Sequence, residues 1–310
     1  MGAQDAEMEW KPGRVLIGYD RSEGAKDAVR LARTLCAGTG AEVLLVNVLP
    51  HPGPMPVAYR LLGYDESPAW KRFFTEAEAE LAPLRVAHRT YVGGSPAKVL
   101  NDIAEEEDID LIVIGSPHRG AVGRALIGSN AEGLLHGASV AVVAAPRGYR
   151  ERVHDGFARI VVGYDGSVEA AVALRRGAAI ATREDVELHV ICVSTPPVHA
   201  PGPIAGPVPA TLPDAREVVA RGVRSVADDV DVRGRALKGA AAPELAGYCG
   251  PDDLLMVGSR SYGPLTRTLI GSVSSKLIHA APCPVLVVPR PHHVARQPVD
   301  RGEPAVAETA

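Results

Sequence analysis

The chain has 310 residues, of which 46% are hydrophobic and 23% charged, and its formal net charge is −4. At about 100–200 residues per domain, this length indicates two globular domains and argues against a single small module or a disordered protein. The mild acidity argues against a general nucleic-acid binder, which would show a basic patch. No apolar run approaches the ~18–20 residues of a membrane span, and residues 1–12 lack the apolar core of a secretory signal. We therefore expect a cytoplasmic protein without a membrane or nucleic-acid partner.

The numbers of cysteines and aromatic residues indicate which residues build the core. Cys36, Cys192, Cys249 and Cys283 are scattered with no Cys-x-x-Cys pair, so neither a zinc ribbon nor a thioredoxin-like site is predicted. We expect each cysteine to fill a buried or half-buried position as a small hydrophobe. Aromatic residues make up only 4% of the chain, so Val, Ile, Leu and Ala must build the core. This composition is typical of a parallel sheet covered by helices on both faces.

Short apolar runs alternate with helical patterns along the chain. In the first half we predict strands at 15–19, 43–48, 85–91, 111–114 and 140–144, and helices at 22–36, 68–81, 96–104 and 129–136. In the second half we predict strands at 160–164, 186–193, 230–237, 254–257 and 285–288, and helices at 168–181, 214–226, 242–248 and 272–280. Ser22 and Ser95 are placed to cap helices, with Pro96 in a first turn. Strands alternating with helices predict βαβ units with right-handed crossovers.

Three motifs recur along the chain. The segment 14–22 (RVLIGYDRS) returns at 159–167 (RIVVGYDGS), an offset of 145 residues. The segment 111–116 (LIVIGS) returns at 254–259 (LLMVGS), and 125–129 (ALIGS) returns at 268–272 (TLIGS), both at an offset of 143. This period is too long for a solenoid, so we predict two duplicated domains at 13–146 and 158–290, followed by a disordered tail at 291–310. The predicted fold is α/β, with two tandem doubly wound domains, each an open five-stranded parallel sheet with helices on both faces.

Open parallel sheets bind ligands beyond the carboxyl ends of their strands, where the strand order reverses. In the first half Asp20 lies there, together with a glycine-rich loop that begins at Gly115. Gly115 is expected to let the chain turn sharply with its backbone amides exposed. Gly128 and Ser129 then begin a helix whose free N–H groups and dipole favour an anion, and the Ser129 hydroxyl is placed to contact a phosphate and cap the helix. Asp20 is placed to accept from a ribose hydroxyl, so the pattern predicts a nucleotide site.

These motifs resemble those of the universal stress protein family, in its tandem two-domain form. The marks are a strand that ends in Gly-x-Asp-x-Ser, the spacing Gly-x2-Gly-x9-Gly-Ser, and an apolar closing strand after a Pro-rich entry at 281–289. The likeness covers nearly all of 13–290 and implies an adenine-nucleotide alpha-hydrolase-like fold. It also implies ATP binding, with the Asp near the ribose, the second-strand residue near adenine and the glycine loop around the phosphates. The implied cofactor is ATP, with Mg²⁺ as its accompanying ion.

The resemblance assigns a set of ATP-binding candidates to each half. Those of the first half are Gly18, Asp20, Val48, Gly115, Ser116, His118, Arg119, Gly120, Gly128, Ser129 and Asn130. Those of the second half are Gly163, Asp165, Val193, Gly258, Ser259, Ser261, Gly263, Gly271, Ser272 and Val273.

The second glycine of the family pattern is replaced in both halves. His118 stands there in the first half and Ser261 in the second, and a backbone with positive φ tolerates them less well than Gly. Gly120 and Gly263, two residues on, are alternative sources of flexibility. His118 is either a phosphate ligand or general acid, or a solvated loop residue. The loop arginines at 119, 124, 260 and 267 either reach the phosphates or are surface charges.

Both loops open with the Gly-x4-Gly of a Walker A motif, but the Lys-Ser/Thr that must follow is absent. Without that lysine, and with no paired acids in register to hold magnesium, the sequence shows no apparatus for fast phosphoryl transfer and no metal site of its own. We expect an ATP-binding regulatory module of the stress response. The domains are expected to pair about a pseudo-two-fold axis through strands 140–144 and 285–288, and whole chains to form homodimers. The alternatives are a slow ATPase and a nucleotide-free dimerising scaffold.

Overall fold

The computed structural model describes residues 10–50, 68–93, 95–116, 133–134, 138–152, 156–194, 214–259 and 271–289. The strands are β1 (Arg14–Gly18), β2 (Glu42–Pro50), β3 (Arg85–Gly93), β4 (Leu111–Gly115), β5 (Ala141–Ala145), β6 (Arg159–Gly163), β7 (Glu187–Ser194), β8 (Val232–Lys238), β9 (Asp253–Gly258) and β10 (Val285–Val288). The helices are α1 (Glu23–Cys36), α2 (Pro68–Leu81), α3 (Pro96–Glu106), α4 (Val168–Glu184), α5 (Ala215–Arg224), α6 (Ala241–Tyr248) and α7 (Ser272–Ala280). A 3₁₀ turn, Tyr149–Glu151, lies between the halves.

The strands form one ten-stranded sheet in the order β3-β2-β1-β4-β5-β10-β9-β6-β7-β8. All pairs within a half are parallel, which confirms the two predicted doubly wound five-stranded sheets. The halves join where β5 and β10 pair antiparallel, with Ala144 opposite Val285 and Val142 opposite Val287. This confirms the predicted pairing of the two closing strands. Because that junction is antiparallel, the carboxyl ends of the strands of the two halves lie at opposite edges of the sheet.

Helices bury both faces of the sheet. Val15 and Ile17 point into a cluster that includes residues of α1, α2, α4 and α5, whereas Leu16 points into a second cluster with α3, α6 and α7. This alternation follows from the two-residue period of a strand, and burial of both faces explains why the central strands β5 and β10 are apolar without interruption. All four cysteines are buried, as predicted, and none of them forms a disulfide.

Side chains define several helix starts. Ser22 Oγ accepts a hydrogen bond from Ala25 N at 3.2 Å, and Ser167 Oγ accepts one from Ala170 N at 3.2 Å. Ser95 occupies the N-cap position of α3 as predicted, but its side chain makes no capping bond. The predicted element ends differ from those observed by a few residues. For example, β2 continues past its predicted end to Pro50, because its ladder with β3 extends to the pair Pro50–Gly93.

The connection between the halves is anchored on the first helix. Asp27, which is 2% exposed, accepts hydrogen bonds from Gly148 N and Arg150 N, both at 2.9 Å. Arg152 reaches the second half, where it donates to Pro282 O at 2.8 Å. These bonds hold the described part of the connection, residues 148–152, against both halves. Within the described ranges, none of the helices combines the length and apolarity needed to cross a membrane.

Candidate functional site

The carboxyl edge of each half brings several predicted site residues together. In the first half β1 lies between β2 and β4, and the chain leaves β1 toward α1 but enters β4 from α3 on the opposite face. The strand order therefore reverses beside β1, which is the point where open α/β sheets bind ligands. Gly18, Asp20, Val48, Gly115 and Ser116 lie at this edge. Their counterparts Gly163, Asp165, Val193, Gly258 and Ser259 lie at the opposite edge.

The two aspartates form the same turn. Asp20 Oδ1 accepts from Ser22 N at 2.9 Å, and Asp165 Oδ1 accepts from Ser167 N at 2.9 Å. Both aspartates are exposed, and both turns pass through a left-handed residue, Arg21 at φ 63° and Gly166 at φ 81°. Each turn fixes its carboxylate just outside the strand end, where the aspartate can accept a hydrogen bond from a ligand.

Gly115 and Gly258 each lie where a helix passes close to the end of a strand. Both have strand conformation without positive φ. A Cβ at Gly115 would lie 2.1 Å from Gly24 O, and a Cβ at Gly258 would lie 2.7 Å from Glu169 Cβ. Whether the chain turns sharply after Ser116 lies outside the described residues. Glycine lets the first turn of α1 or α4 pass directly over the end of the strand, which places the aspartate turn beside it.

Ser116 and Ser259 face the junction between the halves. Their amides continue the sheet, with Ser116 N donating to Ala145 O and Ser259 N to Val288 O, both at 2.8 Å. The Ser116 hydroxyl donates to Ile278 O in α7 at 3.3 Å. Ser259 is 4% exposed, and its hydroxyl has no partner among the described residues. The Ser116 side chain therefore contacts the other half of the chain.

Val48 and Val193 lie on the face that carries α3 and α6, and both are half-buried. Val48 is in register with Tyr91 on β3, and Val193 is in register with Leu237 on β8. Each valine thus has an apolar neighbour that also packs on this face. Sequence reasoning missed Tyr91 and Leu237 because only the register of the outer strand places them beside the valines.

Besides the strand ends at Gly115–Ser116 and Gly258–Ser259, the structure describes the start of α7, where the second predicted phosphate loop ends. Gly271 is the N-cap and makes no side-chain capping bond, and Ser272 is exposed in the first turn. Ser272 is therefore not the N-cap residue, and the N-cap glycine has no side chain to offer the first amides of α7. The Ser274 hydroxyl donates to Gly258 O at 3.1 Å and ties the helix to the end of β9. Sequence reasoning missed Ser274, because nothing in the loop pattern distinguished it.

The rest of the two loops lies outside the described residues. This holds for the predicted candidates His118, Arg119, Gly120, Gly128, Ser129, Asn130, Ser261 and Gly263. Across the ranges that are described, no group of three or more His, Cys, Asp or Glu side chains is arranged to hold a metal ion.

The fold and the repeated geometry at the two carboxyl edges define a tandem doubly wound α/β protein. Residues 12–146 and 156–289 each match the universal stress protein family. The chain therefore belongs to the universal stress protein family and carries two tandem copies of its domain.

Relatives of similar length support this assignment. A universal stress protein of Mycolicibacterium smegmatis is 32% identical over 297 residues, which cover 88% of this chain and 96% of the relative. One from Mycobacterium tuberculosis is 27% identical over 294 residues, covering 89% of this chain and 99% of the relative. A universal stress protein structure from Archaeoglobus fulgidus aligns with a TM-score of 0.65 and 21% identity, over 91% of this chain and all of that chain. The last likeness concerns the fold alone.

Proposed function

We propose that this universal stress protein binds ATP at the carboxyl edge of each half and acts as a cytoplasmic regulatory module of the stress response. The observation that carries the proposal is the duplicated aspartate turn. In both halves an exposed carboxylate is held by the same 2.9 Å bond beside the point where the strand order reverses. The turn recurs although the residue between Asp and Ser is Arg21 in one half and Gly166 in the other.

Two further features support a nucleotide at these edges. The N-cap of helix α7 is Gly271, which has no side chain to cap the first N–H groups, and a helix start of this kind favours an anionic group such as a phosphate. The half-buried pairs Val48–Tyr91 and Val193–Leu237 offer apolar surface for a base. In this arrangement Asp20 and Asp165 would accept from ribose hydroxyls, the helix start would hold phosphate, and any Mg²⁺ would bind together with the phosphates.

The proposed role is binding rather than rapid turnover. A nucleotide can bias a conformation or a partner surface only if it binds one state more tightly than another. The homodimer predicted from the resemblance remains a proposal, and its interface would lie outside β5 and β10, which pair with each other within the chain.

The test is the nucleotide content of the purified chain. The protein is prepared without added nucleotide and denatured, and the supernatant is analysed by ion-exchange chromatography with mass detection. We expect close to two equivalents of ATP per chain, falling to about one in Asp20→Ala and in Asp165→Ala. An empty protein that also shows no binding of ATP in calorimetry would contradict the proposal and favour a nucleotide-free scaffold. Recovery of ADP, together with magnesium-dependent release of phosphate, would instead favour a slow ATPase.

A further inference from the structure

Three polar side chains lie side by side across the first half of the sheet, and we call Tyr19, Asn47 and Thr90 the polar row. Tyr19 directly follows Gly18, which pairs with Val46, and Asn47 pairs with Thr90. Strand alternation places all three on the face covered by α1 and α2. They are 2%, 3% and 5% exposed, respectively.

Each member of the polar row has a buried atom without a partner. Tyr19 Oη, Asn47 Nδ2 and Thr90 Oγ1 form no hydrogen bond with any residue in the described part of the chain. Buried polar groups in folded proteins are nearly always hydrogen-bonded, because leaving one unpaired is costly. Three such atoms in adjacent positions of one sheet point to a group from outside the chain that binds them.

The second half shows that the fold does not need polar residues here. The positions that correspond to Asn47 and Thr90 are Cys192 and Ala236, which are also in register with each other. Both pack in the same apolar cluster, beneath α4 and α5. The tyrosine is retained as Tyr164. Asn47 and Thr90 are therefore a property of the first half alone.

The chemistry of the polar row selects a neutral ligand group. Asn47 offers amide N–H donors, and Tyr19 and Thr90 offer hydroxyls, so the row itself carries no charge. Burial, with the nearby carboxylate of Glu76 as a second cause, raises the pKa of Tyr19 and keeps its hydroxyl protonated. A carbonyl oxygen, a ring nitrogen or a hydroxyl fits this set of donors.

The polar row lies next to the proposed nucleotide crevice. Tyr19, Asn47 and Thr90 directly precede Asp20, Val48 and Tyr91 at the carboxyl edge, by a rise of about 3.3 Å along a strand. The side chains of the row face α1 and α2, whereas Val48 and Tyr91 face the other side of the sheet, so the row would meet the crevice from the α1 side. We propose that Asn47 and Thr90, with Tyr19 beside them, form a polar subsite of the first-half crevice that binds a neutral hydrogen-bond-accepting group, and that the second half lacks this subsite. The inference rests on the proposed function, because it assigns the two crevices different selectivities.

A site built to hydrogen-bond a ligand group discriminates strongly against ligands without that group, since its own buried polar atoms are then left unpaired. The decisive variant is N47C/T90A, which gives the first half the residues of the second half at both positions. Thr90→Ala alone is the milder variant if the double change impairs folding, which circular dichroism would detect. Each is prepared in two backgrounds, Asp165→Ala to isolate the first crevice and Asp20→Ala to isolate the second.

Binding of ATP and of adenosine is measured by calorimetry on the full chain after nucleotide is removed. At about fivefold per neutral hydrogen bond, N47C/T90A is expected to weaken first-crevice binding of both ligands by tenfold or more. It should leave second-crevice binding unchanged. Adenosine is included because it has no phosphates, so an equal loss for both ligands assigns the effect to a neutral group.

The outcomes separate the two proposals. If ATP binds both crevices and N47C/T90A leaves the first-crevice affinity within twofold, the subsite is refuted and the proposed function stands. A loss of equal size in the second crevice also refutes the subsite, because it indicates a general structural effect. If neither ATP nor adenosine binds either crevice of the unmodified chain, the proposed function fails and the subsite fails with it.

Discussion

At the first crevice the backbone of Gly24 approaches Gly115 closely. The substitution Gly115→Ala tests whether this approach requires glycine at position 115. The added Cβ would lie 2.1 Å from Gly24 O and 2.3 Å from Gly24 C, whereas ordinary contacts begin at 3.4 Å. The obstacle is backbone, so no side-chain rotation relieves it, and the first turn of α1 must withdraw by about 1 Å or more. That helix is packed against the sheet by Ala25, Ala28 and Leu31, all of which are buried.

Overpacking of this kind typically costs 1–3 kcal/mol, and we expect Gly115→Ala to lower the free energy of unfolding by about 3 kcal/mol or more. Gly258→Ala is the matched change in the second half. Its Cβ would lie 2.7 Å from Glu169 Cβ and 2.9 Å from Ala170 N, so a smaller shift suffices and we expect a loss of about 2 kcal/mol. Gly115→Ala should also weaken ATP binding in the first crevice, because α1 carries the aspartate turn with it.

Urea unfolding followed by circular dichroism measures these differences. The control is Gly247→Ala in α6, where a Cβ would meet no atom within 4 Å. It should raise the free energy of unfolding by up to about 1 kcal/mol, because alanine favours a helix more than glycine does. The reasoning is refuted if Gly115→Ala unfolds at the same urea concentration as the unmodified chain, or if Gly258→Ala is the more damaging of the two.

Three further predictions concern other parts of the fold. Gly166→Ala places a side chain at φ 81° and should cost about 1 kcal/mol in urea unfolding, whereas Arg21→Gly, at φ 63°, should change stability by less than that in either direction. Ser116→Ala removes the 3.3 Å bond to Ile278 O and should cost about 1 kcal/mol, with an unchanged unfolding midpoint arguing against that contact. Burial raises the pKa of the Cys36 thiol from 9.0 to about 12, so the folded chain holds this proton more tightly than the unfolded chain. The free energy of unfolding should therefore fall as pH rises from about 9 toward 12, and a decline equally steep in Cys36→Ala would exclude this thiol as its cause.

Much of the fold could be predicted because it depends on patterns that are local in the chain. The apolar runs at 111–114 and 285–288 are strands because each is short, uninterrupted and followed or preceded by turn residues. The repeat of 14–22 at 159–167 indicates that the second half has the same fold as the first. The closing strand of each half then predicts the junction at which Val142 pairs with Val287. Element ends were less predictable, since β2 continues to Pro50 only because β3 offers a partner there.

The site was less predictable because its geometry depends on contacts between distant segments. A glycine at position 115 is compatible with a turn, a phosphate contact or a close approach, and only the position of Gly24, far earlier in the chain, decides among them. Asn47 was visible as the one polar residue within the run 43–48, yet its significance needed Thr90 beside it and Cys192 as its counterpart. The strand register shows both that Thr90 lies beside Asn47 and that Cys192 occupies the corresponding position in the second half.

Helix α7 contacts residues at the carboxyl edges of both halves. The antiparallel junction of β5 and β10 places the crevices at opposite edges of the sheet, and α7 runs from one edge toward the other. Its first residues follow Gly271 at the second crevice, where Ser274 bonds Gly258 O, and near its end Ile278 O accepts from Ser116 at the first. A displacement of α7 as a rigid body would therefore alter contacts at both edges. The two copies of the domain thus share a structural element, because α7 contacts Gly258 of the second half and Ser116 of the first.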